Sequence, residues 1–315
     1  MSLFALICAL LLEQLAPLYQ RHVLYDWLTG YVDFFQQHFN SGEYSHGKTA
    51  WWLAVGPMLA GGVLLFWGLN ELHPVLAWMF NVFVLYLCMG FGKYSHRFTD
   101  IQLALRSGRL DEARELLFIL SGKDAHDLNA EEIARISIET TLIAALQHFF
   151  GVIVWYIVFS LLGLGGAAGA LFYCLILALG IRWEGEFNAI EPGMAQFNCF
   201  AREMSARMSW LPVRLTAATF AIVGNFEDTV YCWRSQAANW PDPEIGILLA
   251  GAAGASGVRL GMPVLHGGVV VDRPELGVGD KVNDNAMHCA KRLLWRAALF
   301  MIVTLFMLTL AGLLR

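Results

Sequence analysis

Charged residues are scarce in this chain: they make up 15% of its 315 residues, whereas a soluble domain has about 25%. Basic residues are also outnumbered, and the formal net charge of −5 excludes the broad basic face of a nucleic-acid-binding protein. Hydrophobic residues make up 57% of the sequence, and the mean hydropathy is +0.53. This balance predicts an integral membrane protein whose first partner is the lipid bilayer.

Cysteine pairs are missing as well. The six cysteines are scattered and none forms a C-x-x-C pair, so neither a disulfide framework nor a metal site is predicted. We interpret them as small buried hydrophobic residues. A cleavable signal peptide is not expected either, because the first apolar run lacks a basic start and meets Glu13 and Pro17.

Long apolar runs are what the sequence has instead, and a spanning helix needs about 20 apolar residues. Runs of roughly that length cover residues 50–69, 75–92, 141–162, 166–181 and 293–314. Residues 1–19 are interrupted by Glu13 and predict a span or a tilted, partly interfacial helix. Residues 210–224 are short and contain Arg214, so we expect a re-entrant or bundle-buried helix there. The fold class is therefore all-α, a polytopic integral membrane protein with five or six spanning helices.

Two polar segments separate these runs within a single membrane domain covering residues 1–315. Residues 93–140 are rich in Lys and Arg, which predicts a cytoplasmic helical insert, with Asn129 as the N-cap of its last helix. Residues 225–292 are expected to form a second cytoplasmic segment, irregular over 241–285. Aromatic residues recur at helical spacing over residues 20–48, which fits a helix on the membrane surface and, equally, packing within the bundle.

Carboxylates cluster where the insert meets the bilayer. Asp124, His126 and Asp127 are residue types that hold Mg²⁺ for ATP chemistry, and they also fit a solvated, capped helix start. Glu139 follows in the same helix, just before a purely apolar run, where a carboxylate is costly unless it is paired or hydrated. Arg135, one turn earlier, is its expected partner. Glu139 is thus a functional candidate or one half of a helix-end ion pair.

Two further polar residues lie in apolar surroundings. His148 is a candidate ligand or proton carrier, or a hydrogen-bonded histidine of the bundle. Arg214 follows Pro212, which suits a helix start, and an arginine at membrane depth should face an anionic ligand or a carboxylate. The glycine-rich run AGAAGASGVRLG follows no predicted strand, so close packing is favoured over a phosphate-binding loop.

Several stretches resemble the CobD/CbiB superfamily. WLPVRL, AGASGVRLGMP and RPELGVGD are similar to family segments that precede the final span. LSGKDAHDLNAEEIARISIET resembles another family segment through Gly122, Asp124, Leu128, Ile133, Arg135, Glu139 and Thr140.

The resemblance implies a membrane protein of cobalamin biosynthesis that attaches aminopropanol or its phosphate to adenosylcobyric acid using ATP. It implies Mg–ATP as the cofactor, a corrinoid or other anionic small molecule as the ligand, and the bacterial inner membrane as the location. Glu139 and Asp124 would then be catalytic, whereas Arg135, Arg214 and His148 would bind the ligand. The sequence leaves the oligomeric state open and allows an oligomer.

The chain departs from the family pattern after Thr140, where an acid and amide cluster is replaced by IAALQH. Three stretches resemble the AmpE-like branch instead: MSLFALICALLLEQL, WLPVRLTAATFAIVGNFEDTVYCW and DKVNDNAMHCAKR. The main hypothesis is therefore a divergent inner-membrane protein with an AmpE-like ligand-binding or regulatory role, in which Glu13 makes a buried polar contact. The alternative is a working adenosylcobinamide-phosphate synthase.

Overall fold

A computed structural model describes residues 2–15, 22–39, 43–122, 125–185, 195–266, 269–279, 282 and 284–312. Helices dominate this part of the chain. They are α1 (Ser2–Leu15), α2 (His22–Phe39), α3 (Tyr44–Leu72), α4 (Pro74–Cys88), α5 (Phe91–Arg106), α6 (Leu110–Ser121), α7 (Ala130–Ala145), α8 (Gly151–Leu161), α9 (Gly166–Gly185), α10 (Ala195–Val223), α11 (Phe226–Ser235), α12 (Pro243–Ser256) and α13 (Asp284–Leu310). A π-helical segment, Leu146–Phe150, lies between α7 and α8.

Five helical stretches of the described chain are long and apolar enough to cross a membrane. They are Tyr44–Leu72, Pro74–Arg106, Ala130–Leu161, Gly166–Trp183 and Asn285–Leu310. The all-α polytopic fold is therefore confirmed, with five candidate spans. The apolar part of α1, Leu3–Glu13, is shorter than these, and Glu13 within it is buried.

The chain divides into two compact units. The first unit is Met1–Gly90, Gln147–Pro212 and Met307–Arg315, and the second unit is Phe91–Leu146 and Val213–Phe306. The core of the first unit joins α2, α3, α9 and α10 around residues such as Val32, Trp51, Trp183 and Phe197. Arg182 binds both carboxylate oxygens of Asp33, at 2.9 and 3.0 Å. Helix α2 thus packs within its unit, which agrees with packing in the bundle rather than with a helix on the membrane surface.

Small residues allow close helix packing in the first unit. A Cβ added to Gly169 of α9 would meet Phe159, and one added to Gly151 of α8 would meet the ring of Tyr173, so α8 and α9 form a tightly packed hairpin. Gly62 faces Ala168 of α9.

Pro212 lies deep inside α10, so its expected position at a helix start is wrong. A proline has no N–H to donate to the carbonyl four residues earlier, which here is that of Met208. The indole N–H of Trp155 in α8 donates to this oxygen at 3.1 Å. The hydrogen bond lost from the helix is replaced by one from a neighbouring helix of the same unit.

The second unit contains the polar helices. Asn129 caps α7, accepting from the N–H of Glu132 while the Glu132 carboxylate accepts from the N–H of Asn129, a capping box that confirms the predicted N-cap. Helix α6 ends at Gly122 in the left-handed conformation. The segment 225–292 is less irregular than expected, because it contains α11 and α12.

Helix α12 includes the glycine-rich run, and it is buried and closely packed. Gly254 lies against the backbone of Asp228, and Gly251 lies against Ala217. Four short strands follow: β1 (Leu260–Gly261), β2 (Val264–His266), β3 (Val269–Val271) and β4 (Glu275–Leu276). Antiparallel pairs form between β1 and β4 and between β2 and β3. The run therefore serves packing, and the loop that follows it is held in a fixed shape.

Candidate functional site

Glu139 of α7 is buried, with 4% of its surface exposed. Its Oε1 accepts a hydrogen bond from the backbone N–H of Gly261 at 2.8 Å, and its Oε2 accepts one from Nη1 of Arg273, also at 2.8 Å. A buried carboxylate needs such partners to stay charged. Glu139 therefore fastens helix α7 to the loop around β1.

Arg273 makes contacts beyond Glu139. Its Nε donates to the carbonyl of Met262 at 3.3 Å, and its Nη2 donates to that of Gly261 at 3.4 Å. Its guanidinium also lies 5.7 Å from the ring centre of Trp240, a cation–π distance. Arg273, rather than Arg135, is the ion-pair partner of Glu139, so the expected Arg135–Glu139 salt bridge is wrong.

Arg135 binds the next two residues of the same loop. Its Nη2 donates to the carbonyl of Pro263 at 3.3 Å, and its Nη1 lies 3.5 Å from the sulfur of Met262. The residue is 3% exposed, and among the described residues its Nε has no hydrogen-bond partner. Arg135 and Glu139, one turn apart on α7, therefore hold residues 261–263 together.

The held loop has an unusual backbone. Gly261 has φ +77° and Met262 has φ +66°, and a positive φ is uncommon for a residue with a side chain. A Cβ on Gly261 would collide with the carbonyl oxygen of Pro274. Strained backbone of this kind is found at ligand-binding and catalytic loops when the surroundings enforce it. Here the enforcing groups are Glu139, Arg135 and Arg273.

The other end of this loop is tied to α11. The backbone N–H of Gly277 donates to Oε1 of Gln236 at 2.6 Å, and Nε2 of Gln236 donates back to the carbonyl of Gly277 at 3.4 Å. Cys232, one turn earlier, is fully buried. Burial, and to a smaller extent the negative charge of Asp228, raises the pKa of its thiol. The thiol is thus kept neutral, as expected for a structural cysteine.

Two of the remaining candidates make other contacts. Arg214 in the second unit pairs with Glu244 at 2.8 Å. Of the two expected partners, an anionic ligand or a carboxylate, the structure shows the carboxylate. His148 belongs to the first unit, in the π-helical segment, and its backbone carbonyl accepts from Gly90 N–H at 3.3 Å. Asp124 lies outside the described residues. Of the predicted set, Arg135 and Glu139 thus bind the same loop, residues 261–263.

Sequence reasoning missed Arg273. It lies in RPELGVGD, a segment quoted for its resemblance, yet the argument for a partner of Glu139 considered only neighbours within the same helix. The available signal was a buried carboxylate together with a basic residue in a second family-like segment. In the part of the chain that the structure describes, no group of three His, Cys, Asp or Glu residues is arranged to hold a metal ion.

These features define a polytopic helical membrane protein whose polar loop is held to a long helix by a buried ion pair. The family model described as CobD/Cbib protein matches residues 4–294, and the chain belongs to this family. It is 33% identical over 280 residues to the cobalamin biosynthesis protein CobD of Stutzerimonas stutzeri, covering 87% of this chain and 88% of that protein.

Other relatives carry similar names. The cobalamin biosynthesis protein CobD of Chromobacterium violaceum is 31% identical, covering 77% of this chain and 74% of that protein. The cobalamin biosynthesis protein CbiB of Salmonella typhimurium is 26% identical, covering 80% and 78%. No solved structure matches the chain. The hypothesis of an AmpE-like regulatory role is therefore wrong, since the similar proteins are cobalamin biosynthesis proteins.

Proposed function

We propose that this chain is a cobalamin biosynthesis enzyme of the bacterial inner membrane, which forms an amide between adenosylcobyric acid and aminopropanol phosphate with ATP. The observation that carries the proposal is the 33% identity to a cobalamin biosynthesis protein CobD across 87% of the chain. The five candidate spans support the membrane location. The corrinoid is then the substrate, and it is an anionic small molecule.

The reaction joins a carboxylate to an amine. A free carboxylate does not react with an amine in water at a useful rate, so phosphoryl transfer from ATP must first turn one carboxylate oxygen into a leaving group. The amine nitrogen then attacks the acyl carbon, phosphate departs and the nitrogen loses a proton. The protein has to orient the two reactants and stabilise the charge that develops.

Within this proposal Glu139 is a positioning residue. Both of its carboxylate oxygens already accept hydrogen bonds, whereas a general base must reach the proton that it removes. Its role is to fix residues 261–263 in their strained shape. The buried guanidinium of Arg135, which still has a free Nε donor among the described residues, remains the candidate contact for an anionic substrate. Ligand-binding roles for Arg214 and His148 also remain predictions.

Mg–ATP needs acidic or amide ligands. Among the described residues, no group of three His, Cys, Asp or Glu side chains is arranged to hold a metal ion. Asp124 stays our candidate for the catalytic carboxylate because it lies at the start of the segment that resembles the family.

The test is a reconstituted reaction. Detergent-purified protein is incubated with adenosylcobyric acid, aminopropanol phosphate and Mg–ATP, and the conjugated corrinoid is measured by mass spectrometry. We expect product from the wild type and a loss of at least about 100-fold in Asp124→Asn, the size of a general acid–base contribution. A folded wild type that forms no product from aminopropanol or its phosphate would refute the proposal.

Glu139→Gln is tested beside Glu131→Gln, a matched control in the same helix. Glu131 is half-buried, and no hydrogen bond or ion pair is seen for its side chain. We expect Glu139→Gln to lower both kcat/KM and the melting temperature, since it leaves the charge of Arg273 without its carboxylate. Glu131→Gln removes only a charge from the first turn of α7, so it should lower both far less. Full activity in Glu139→Gln would remove the positioning role from the proposal.

A further inference from the structure

A small pocket in the second unit has none of the residues of the Glu139 cluster in its lining. Its walls come from the end of α10, the last turn of α12 and the first turns of α13, with Gly224, Ser256, Cys289, Arg292 and Arg296 among the lining residues. It encloses about 100 Å³. One water needs about 10–15 Å³ of such space, so the pocket has room for a small oxyanion.

Two arginines of α13 give this pocket its charge. Arg292 and Arg296 are four residues apart, so they lie on the same helix face, where like charges repel each other. Within the described residues, neither forms an ion pair or a hydrogen bond. Asp228 lies four residues after Gly224 of the pocket lining, and its carboxylate accepts a hydrogen bond from the side-chain amide of Asn225 at 2.6 Å. The pocket therefore holds two positive charges that no described carboxylate balances.

The carbonyl groups at the end of α12 do not use these guanidinium donors either. The Ala252 carbonyl accepts from the Ser256 hydroxyl at 2.6 Å, and the Ala255 carbonyl accepts from the Asn225 N–H at 3.2 Å. The carbonyls of Ala253 and Gly254 accept from the N–H groups of Val258 and Gly257 at 3.2 and 3.4 Å. The usual reason for an arginine beside a helix C-terminus, satisfying its last carbonyls, is thus absent.

Both arginines also lie where α13 becomes apolar, within the candidate span Asn285–Leu310. Both guanidinium groups are exposed, so an anion from solution or from the membrane surface can reach them. The planar fork of a guanidinium matches the oxygens of a phosphate group. We propose that this pocket binds a phosphate group through Arg292 and Arg296, and that this site is distinct from the proposed synthase chemistry. The phosphate belongs to a lipid headgroup at the membrane surface or to a free phosphate in solution.

The first test uses the wild-type protein and its own cysteine. Cys289 lines the pocket and is half-buried, so inorganic phosphate bound there should shield it. The full-length protein in detergent is treated with iodoacetamide, a neutral reagent, with phosphate or with sodium chloride of equal ionic strength. We expect phosphate to slow alkylation of Cys289 severalfold and to leave the half-buried Cys199 of the first unit unchanged. Equal rates at Cys289 in the two salts would count against a free-phosphate site.

The second test separates the two sources with charge variants. R292Q/R296Q is compared with R106Q/R234Q, which removes the same charge from two exposed arginines of the same unit. Binding of inorganic phosphate is measured by equilibrium dialysis. Binding of phosphatidylglycerol is measured by native mass spectrometry, as the lipid that stays on the protein after its release from phosphatidylcholine nanodiscs that contain some phosphatidylglycerol. We expect R292Q/R296Q, and not the control, to weaken one of them about tenfold, the loss expected for two solvent-exposed ion pairs.

The arm that responds identifies the source of the phosphate. Loss of inorganic phosphate binding assigns a free phosphate, and loss of phosphatidylglycerol retention assigns a lipid headgroup. Wild-type retention by R292Q/R296Q in both arms would overturn the proposal. Neither measurement uses catalysis, so failure of this proposal and failure of the synthase proposal are distinguishable.

Discussion

Gly261 and Gly257 have nearly the same positive φ, +77° and +67°, but their surroundings differ. A Cβ at Gly261 would strike the carbonyl oxygen of Pro274, whereas at Gly257 nothing lies within 4 Å. Gly257→Ala should therefore cost only the left-handed strain, about 1–2 kcal/mol. Gly261→Ala should cost clearly more and also displace the Gly261 N–H from Glu139.

The check is a pair of thermal melts with activity measurements on the same preparations. We expect the melting temperature to fall further in Gly261→Ala than in Gly257→Ala, and activity to fall only in Gly261→Ala. Equal melting temperatures would mean that the loop relaxes around the added methyl group, and the enforced shape of residues 261–263 would no longer support a functional role.

At this scale the sequence indicated correctly that Glu139 needs a partner, and it predicted the wrong one. A carboxylate ahead of an apolar run is visible in the sequence because its burial is costly. Arg273, 134 residues later, becomes its neighbour only through the path of the loop. Residue pairs separated by several elements have no local signal, and helical spacing made Arg135 the nearest available choice.

At the scale of the helices, the contact between Trp155 and the Met208 carbonyl leads to a double-mutant prediction. Trp155→Phe removes the N–H that serves the carbonyl left free by Pro212, which should cost about 1–3 kcal/mol. In a Pro212→Ala background the helix N–H of residue 212 becomes available to Met208, so the same substitution should cost less.

The four proteins of this cycle are compared by thermal unfolding in one detergent. The prediction concerns the coupling: the loss caused by Trp155→Phe should be smaller with alanine at position 212 than with proline. Identical losses in both backgrounds would show that Trp155 contributes through ring packing against Phe159 and Phe172 and not through its hydrogen bond.

Helix ends illustrate what sequence can and cannot give at this scale. Asn129 with Glu132 predicted the start of α7 because a capping box is local chemistry. Helix α12 was treated as irregular, although Asp242 caps it, Pro243 occupies its first turn and Gly257 ends it. The signals of a helix were present, but residues 241–285 were expected to be irregular because the small residues between those signals carry no helical pattern.

For the molecule as a whole, hydropathy predicted the spans well because backbone groups within a bilayer must be hydrogen-bonded inside the helix itself. It did not predict the division into two units, since each unit is assembled from separated parts of the chain. It also could not distinguish the AmpE-like from the synthase interpretation. The AmpE-like interpretation depended on acids that are absent after Thr140. The 33% identity to a CobD protein, over 87% of the chain, depends on the residues that are present.

The order of the candidate spans predicts on which side of the membrane each polar segment lies. Two candidate spans, Ala130–Leu161 and Gly166–Trp183, separate the polar segment around α6 from that around α11, so both segments should lie on one side. The basic residues of the first segment assign that side to the cytoplasm. The turn at Leu162, which is 64% exposed, should then face the opposite side.

In a cysteine-free background, we expect an impermeant maleimide to label Leu162→Cys in intact spheroplasts. Ser107→Cys and Ser235→Cys should be labelled only after lysis. Labelling of Ser107→Cys before lysis, with Leu162→Cys protected, would invert the orientation and place the Glu139 loop outside the compartment that contains ATP.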